Sequence, residues 1–179
     1  MPPTLEKSFT RTTPDGDTHE RDICDACGFV NYVNPKIVVG SVVTFEDKIL
    51  LCRRAIEPRH GFWTVPAGYM EVGETPEEGA LREAREEANA LLTLHGLMAC
   101  YTVRHLSQVQ LIYRATLNGG LHAAGDETLE TGLFTWDQIP WDDLAFQTVE
   151  WMLNDYQTWQ AENISLPIAR STEHTVSQL

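Results

Sequence analysis

Glu83, Glu86 and Glu87 stand close together in the run REAREEANA, three and four residues apart. If that run is helical, each residue turns by about 100°, so Glu83 lies about 60° from Glu86 and about 40° from Glu87. All three carboxylates then share one face. Like charges at these spacings repel by a few tenths of a kcal/mol per pair. Acidic side chains late in a helix also oppose its dipole. A solvated acidic face would bear both penalties, whereas a divalent cation reverses both. Hard oxygen ligands in such a cluster suit Mg²⁺ or Mn²⁺, which keep several waters and share a substrate phosphate.

The cysteines offer a second, thinner signal. Cys24 and Cys27, in CDACGF, have the spacing of a zinc knuckle. One knuckle supplies two of the four ligands that structural zinc takes, and His19 could lend a third. The competing reading is a tight turn with no metal. Cys52 and Cys100 fall inside apolar runs and read as strand residues that fill a core.

The helix that would carry the three glutamates is well marked. Thr75 suits the N-cap, Pro76 the first helical position, and Glu78 completes a capping box. Asn89 can adopt the left-handed conformation that closes a helix. Ala80, Leu81 and Ala84 offer a small apolar surface for packing on a sheet. Ahead of it, IVVGSVVTF and KILLCRRA read as a hairpin across EDK, followed by a loop rich in proline, glycine and aromatics. Beyond it, LLTLHGLMACYTV, QVQLIYRATL and TGLFTW read as strands. DDLAFQTVEWMLNDYQTWQ predicts a second helix packed through Leu144, Val149, Met152, Leu153 and Tyr156. This divides the chain into an extended polar arm over 1–35, a catalytic domain over 36–160 and a tail over 161–179 without a strong signal.

At 179 residues, 42% hydrophobic and 22% charged, the composition is that of one globular domain. A net charge of −13 argues against a nucleic-acid surface. No apolar run is long enough to cross a bilayer, and the opening residues lack the form of a secretory signal, so a cytoplasmic address is expected.

Gly68, Glu74, Arg82, Glu83, Glu86 and Glu87 occupy six of the seven fixed positions of G-x5-E-x7-R-E-U-x-E-E-x-G-U, where U is aliphatic. The segment thus resembles the Nudix box, with Asn89 where the family has glycine and Ala90 at the last aliphatic position. The resemblance extends through FWTVPAG and the strand order around the box to most of 36–160. It implies an α/β fold, the α/β/α sandwich with a mixed β-sheet, and hydrolysis of a nucleoside diphosphate linked to a further group. The arm and IPWDDLAF are similar to a subgroup with an N-terminal zinc ribbon, associated with ADP-ribose and FAD. SQVQLIYRA lacks the sequence that marks NADH pyrophosphatases.

By that resemblance Glu83, Glu86 and Glu87 are metal ligands, joined by the backbone carbonyl of Ala67. Glu83 and Glu86 are also catalytic candidates, while Glu74 and Arg82 pair to fix the loop against the helix. Related ADP-ribose hydrolases draw a base from a distant loop, which here points to Glu127 or Glu130. Arg53, Arg54, Arg104 and Arg114 are candidate phosphate contacts, and Trp63 or Tyr101 candidate stacking partners. Relatives often form dimers, and Phe29 and Tyr32 of the arm are candidate contacts for a homodimer. Two alternatives remain: a house-cleaning hydrolase of nucleoside triphosphates or sugar nucleotides, and a module that senses a nucleotide without cleaving it.

Overall fold

The computed structural model of the protein describes residues 8–162, 164 and 166–172. The chain divides into two compact units, Met1–Pro35 and Lys36–Leu179.

The first unit is a small antiparallel sheet, where an extended arm is expected from the sequence. Its strands are β1 (Phe9–Thr12), β2 (Arg21–Cys24) and β3 (Val30–Asn31), in the order β1-β2-β3. These strands are short, and β1 is exposed along its whole length. No alternation of apolar and polar residues therefore announces them. Hydrogen bonds to side chains hold the turns instead. The Asp17 carboxylate accepts from the backbone N–H groups of Thr18 and His19 at 2.7 and 3.0 Å and from Arg21 Nε at 2.9 Å. The Asp25 N–H donates to the Ser8 carbonyl at 3.1 Å. The CDAC turn is closed by Gly28 N–H donating to the Cys24 carbonyl and Cys24 N–H to that of Phe29, each at 2.8 Å.

The second unit is built on a mixed sheet. Its strands are β4 (Lys36–Phe45), β5 (Lys48–Arg54), β6 (Trp63–Thr64), β7 (Ala67–Tyr69), β8 (Leu92–Val103), β9 (Gln108–Leu117), β10 (Thr128–Phe134) and β11 (Ile168–Ser171). The main order is β10-β5-β4-β9-β8-β11, with β6 paired to β5 and β7 to β4. Only β4 with β9 and β11 with β8 run parallel among these pairs. The expected hairpin is β4–β5, in register Thr44↔Ile49 and Phe45↔Lys48.

Alternation along the strands creates two buried faces, because successive side chains point to opposite sides. Val39, Val43, Leu50, Cys52, Tyr113, Ala115 and Leu117 line one side, together with Ala80 and Ala88 of helix α1 (Pro76–Ala88). Val42, Ile49, Leu51, Ile112, Met98 and Tyr101 line the other, with Val149, Met152 and Leu153 of helix α2 (Gln147–Glu162). One helix on each face gives the three-layer sandwich.

Helix α2 starts at Gln147 rather than at Asp142. Residues 141–143 form a short 3-10 turn, and Leu144 then runs extended beside Trp63. Ala145 N–H donates to the Trp63 carbonyl at 2.8 Å. That tie to the sheet delays the helix. The tail also contributes more than expected, since β11 adds a parallel strand at the sheet edge. Arg170 of β11 forms a double ion pair with Asp155, 1% exposed on α2, which also accepts from Tyr101 Oη at 2.7 Å.

Candidate active site

Helix α1 begins with the expected capping box. Thr75 Oγ1 accepts from Glu78 N–H, the Glu78 carboxylate accepts from Thr75 N–H, and Pro76 takes the first helical position. The helix ends on Asn89, left-handed at φ 47°, ψ 29°. This frame presents the acidic face of α1 to a cleft of about 1170 Å³, lined also by β7, the loops at 56–59 and 124–127, and the start of α2.

Glu83 and Glu87 are buried at 8% and 7% exposure, whereas the Glu86 side chain is 59% exposed. Burial raises the Glu83 carboxyl above its ordinary range and pushes Glu87 up to about 8. Glu83 and Glu127 add to the rise at Glu87 through their negative charge, and the Ala67 N–H, donating to Glu87 Oε2 at 2.9 Å, opposes it. Arg82 answers part of this charge. Its guanidinium bonds both oxygens of Glu74, at 2.8 and 3.0 Å. It also reaches Glu83 at 2.7 Å, Glu86 at 2.9 Å and the Tyr69 carbonyl at 2.9 Å. Arg82 thereby holds Glu74 down to about 2. It supplies a local positive charge that sequence reasoning on repulsion alone overlooks.

Among the described residues no three acidic, histidine or cysteine side chains converge as a closed ligand set. Glu86 is turned to Arg82, and Glu87 to the Ala67 amide. The donor chemistry nonetheless fits a divalent cation: Glu83 and Glu87 are carboxylates whose charged form is disfavoured by burial, Glu86 is an exposed carboxylate beside them, and the Arg82 guanidinium lies on Glu83 and Glu86. Gly68 completes the cradle, because a Cβ there would overlap the Glu83 carboxylate. Gly68→Ala should displace that flexible carboxylate without disturbing the core. We expect kcat/KM to fall about tenfold, with the melting temperature nearly unchanged; unchanged kinetics would remove Glu83 from the site.

Glu87 also makes stability depend on pH. An exposed glutamate titrates near 4.3, so the folded protein holds this proton more tightly than the unfolded chain. The resulting stabilisation is complete below about pH 4.3 and is lost as pH rises through about 8. In chelator, melting temperature should therefore fall between about pH 5 and pH 8 more steeply for the native protein than for Glu87→Gln. Parallel curves would contradict this.

Of the two candidate bases, Glu127 lines the cleft, and its charge acts on Glu83 and Glu87. Glu130 lies outside the lining, on β10, paired with Arg53 at 3.1 Å. Arg53 also donates to the Gly61 carbonyl at 2.8 Å and does not line the cleft. Arg54 does, with its guanidinium 5.3 Å from the Phe146 ring and its Nε on the Pro58 carbonyl at 2.9 Å. Arg104 sits in an exposed 3-10 turn outside the lining, and Arg114 stacks 3.4 Å over Trp159. Trp63, partly buried against the core, packs edge-on on Phe134 at 4.9 Å. Tyr101 is fully buried on Asp155. Neither ring lines the cleft. Strand alternation decides this: Arg53 and Arg54 face opposite ways, and only one faces the cleft. Sequence reasoning missed Arg59, Arg85, Tyr69 and Phe146, which line it. Arg85 carries a signal in its position one residue before Glu86, and Arg59 in the loop EPRHG.

In the first unit, Cys24 is buried and Cys27 exposed. Among the described residues no third acidic, histidine or cysteine side chain joins them. Two thiols do not fit a closed structural zinc site. The hydrogen bonds at Asp17 and Asp25 account for the turns.

The family profile described as NUDIX domain matches residues 34–152, and that described as Nudix N-terminal matches 7–33. The chain belongs to the Nudix family of pyrophosphohydrolases and is a Nudix hydrolase. A crystal structure of a NUDIX hydrolase from Nitrosomonas europaea superposes with a TM-score of 0.89 at 39% identity, covering 94% of this chain and 96% of that one. An ADP-ribose pyrophosphatase of Methanocaldococcus jannaschii is 29% identical over 133 residues, 72% of this chain and 77% of the relative. An NAD-capped RNA hydrolase, NudC, of Photorhabdus laumondii is 30% identical over 121 residues, 66% of this chain but 46% of its own length. No helix among the described residues is long and apolar enough to cross a membrane.

Proposed function

We propose that the protein hydrolyses the diphosphate of ADP-ribose, releasing AMP and ribose 5-phosphate, with FAD as the next candidate. The observation that carries this reading is one cleft lined by Glu83, Glu86, Glu87 and Glu127 on one hand and Arg54, Arg59 and Arg85 on the other. Its volume of about 1170 Å³ suits a dinucleotide-sized ligand better than a mononucleotide. Similarity to an ADP-ribose pyrophosphatase supports the choice of ligand.

Glu83, Glu86 and Glu87, with the Ala67 carbonyl, would hold Mg²⁺ or Mn²⁺. Such cations neutralise the diphosphate and favour attack by water on phosphorus. The arginines bind the non-bridging oxygens and orient the anhydride. Glu127 accepts the proton of the attacking water, a P–O bond to that water forms, and the bridging P–O bond breaks with the second phosphate as leaving group. Arg82 holds Glu74 and the 69–74 loop so that Gly68 stays against Glu83. Tyr69 and Phe146, 48% and 37% exposed, are the rings on which a base can stack. The strongly acidic chain makes RNA a poor ligand.

A panel of ADP-ribose, FAD, NADH, UDP-glucose, nucleoside triphosphates and NAD-capped RNA, each with Mg²⁺ and Mn²⁺, tests the proposal. We expect ADP-ribose to give the highest kcat/KM. Preference for triphosphates or UDP-glucose would move the protein to a house-cleaning role, and binding without turnover to a sensing one.

A further inference from the structure

Where the Nudix pattern has glycine, this chain has Asn89, and the structure gives the substitution a role beyond closing the helix. The backbone N–H of Asn89 donates to the Ala84 and Arg85 carbonyls, as any left-handed cap does. Its side chain does something glycine cannot. Nδ2 donates to the carbonyls of both Ala123 and Ala124 at 3.2 Å. Both partners are carbonyls, which only accept, so the amide can be oriented in one way alone.

Those two carbonyls open the loop that carries Glu127. Further ties run the same way: Ala123 N–H donates to the Ala88 carbonyl at 2.8 Å, and Gly125 N–H to the Glu87 carbonyl at 3.0 Å. Gly125 lies so close to α1 that a Cβ would overlap the Glu86 carbonyl oxygen. Beyond it, Thr128 N–H closes on the Gly125 carbonyl at 3.1 Å, and the Glu127 carbonyl accepts from Ala55 N–H at 2.8 Å. The loop is thus moored at the end of the same helix that presents Glu86 and Glu87. These contacts spend the last carbonyls of α1, which otherwise lack partners.

We propose that Asn89 is a positioning residue that sets Glu127 against the box carboxylates, by tying the 123–127 loop to the C-terminal end of α1. This rests on the reading of Glu127 as the proton acceptor. An inter-element tether of two hydrogen bonds matters for rate because a shift of about 1 Å in a catalytic group can cost up to a hundredfold. It matters less for stability. Glycine tolerates the left-handed conformation better than asparagine, which offsets part of the loss of two exposed bonds.

A double-mutant cycle of Asn89→Gly and Glu127→Gln on the full chain tests the proposal, with ADP-ribose and Mg²⁺. Asn89→Gly restores the family's residue and keeps the cap. We expect kcat to fall about tenfold or more with KM little changed and the melting temperature nearly constant. We also expect the fall to disappear in the Glu127→Gln background. Unchanged kcat in Asn89→Gly overturns the inference, and so does an equal loss in both backgrounds, which would mean that Asn89 acts elsewhere. Full activity in Glu127→Gln alone overturns the reading of Glu127, and the inference with it. A loss confined to the native background is the one outcome that supports both.

Discussion

Glu86→Gln is expected to lower kcat by about a thousandfold, or about 4 kcal/mol in the barrier, while the protein melts where the native form does. The two halves of this expectation have separate causes. Glu86 is the most exposed of the three box glutamates, and among the described residues its side chain bonds only Arg82. A substitution there lies within the roughly ±0.5 kcal/mol typical of surface sites. Its cost falls on catalysis because a neutral amide cannot supply the charge that a divalent cation requires. Circular dichroism and kcat on one preparation check both halves. Near-native turnover would remove Glu86 from the site, and gross unfolding would mean that the side chain serves the fold.

Arg170→Ala should be the most destabilising change at a partly exposed position. Asp155 is buried at 1% exposure, and Arg170 bonds both of its oxygens. Removing one partner of a buried pair leaves an uncompensated charge, at a cost of about 3–5 kcal/mol. Arg170 is itself nearly half exposed, so water can reach the vacated space and the lower end applies. For a chain of this size about 3 kcal/mol lowers the melting temperature by roughly 10 °C. Asp155→Asn in the same background should recover part of the loss, since a neutral amide needs no counter-charge. A fall under about 2 °C would mean that β11 does not depend on this pair.

The contrast between these two sites follows what the sequence could and could not convey. Helix α1 was readable to the residue because its signals are local: a cap at Thr75, proline at the next position, a capping box and an asparagine stop. The three glutamates follow from the same spacing. The hairpin β4–β5 and the strands β8 and β9 were readable from apolar runs. What escaped depends on partners distant in sequence. The start of α2 was displaced by the tie of Ala145 to Trp63, and β11 is held by Asp155, 15 residues away along the chain. No periodicity within four residues reports such a bond.

The same limit governed the residues around the cleft. Arg53 and Arg54 are adjacent, and only their direction on β5 decides which one lines the cleft. Trp63 and Tyr101 look like stacking residues by type, but Tyr101 is buried in the core, Trp63 packs against that core partly buried, and neither lines the cleft. Glu127 and Glu130 have the same chemistry and differ by register, since Glu130 stands opposite Arg53 while Glu127 lies before the strand. The arm illustrates the opposite case. CDAC suggests zinc by spacing, whereas the nearby Asp17 carboxylate holds its turn by accepting hydrogen bonds from Thr18, His19 and Arg21 that no cysteine pattern predicts.

The rate of AMP release from ADP-ribose as a function of free Mg²⁺, measured on the native protein, bears most directly on the role of the acidic face of α1. We expect no turnover in chelator, a saturable rise on adding Mg²⁺ or Mn²⁺, and loss of that rise in Glu86→Gln. Turnover that persists in chelator at the same rate, or a Mg²⁺ response that Glu86→Gln leaves intact, would contradict it.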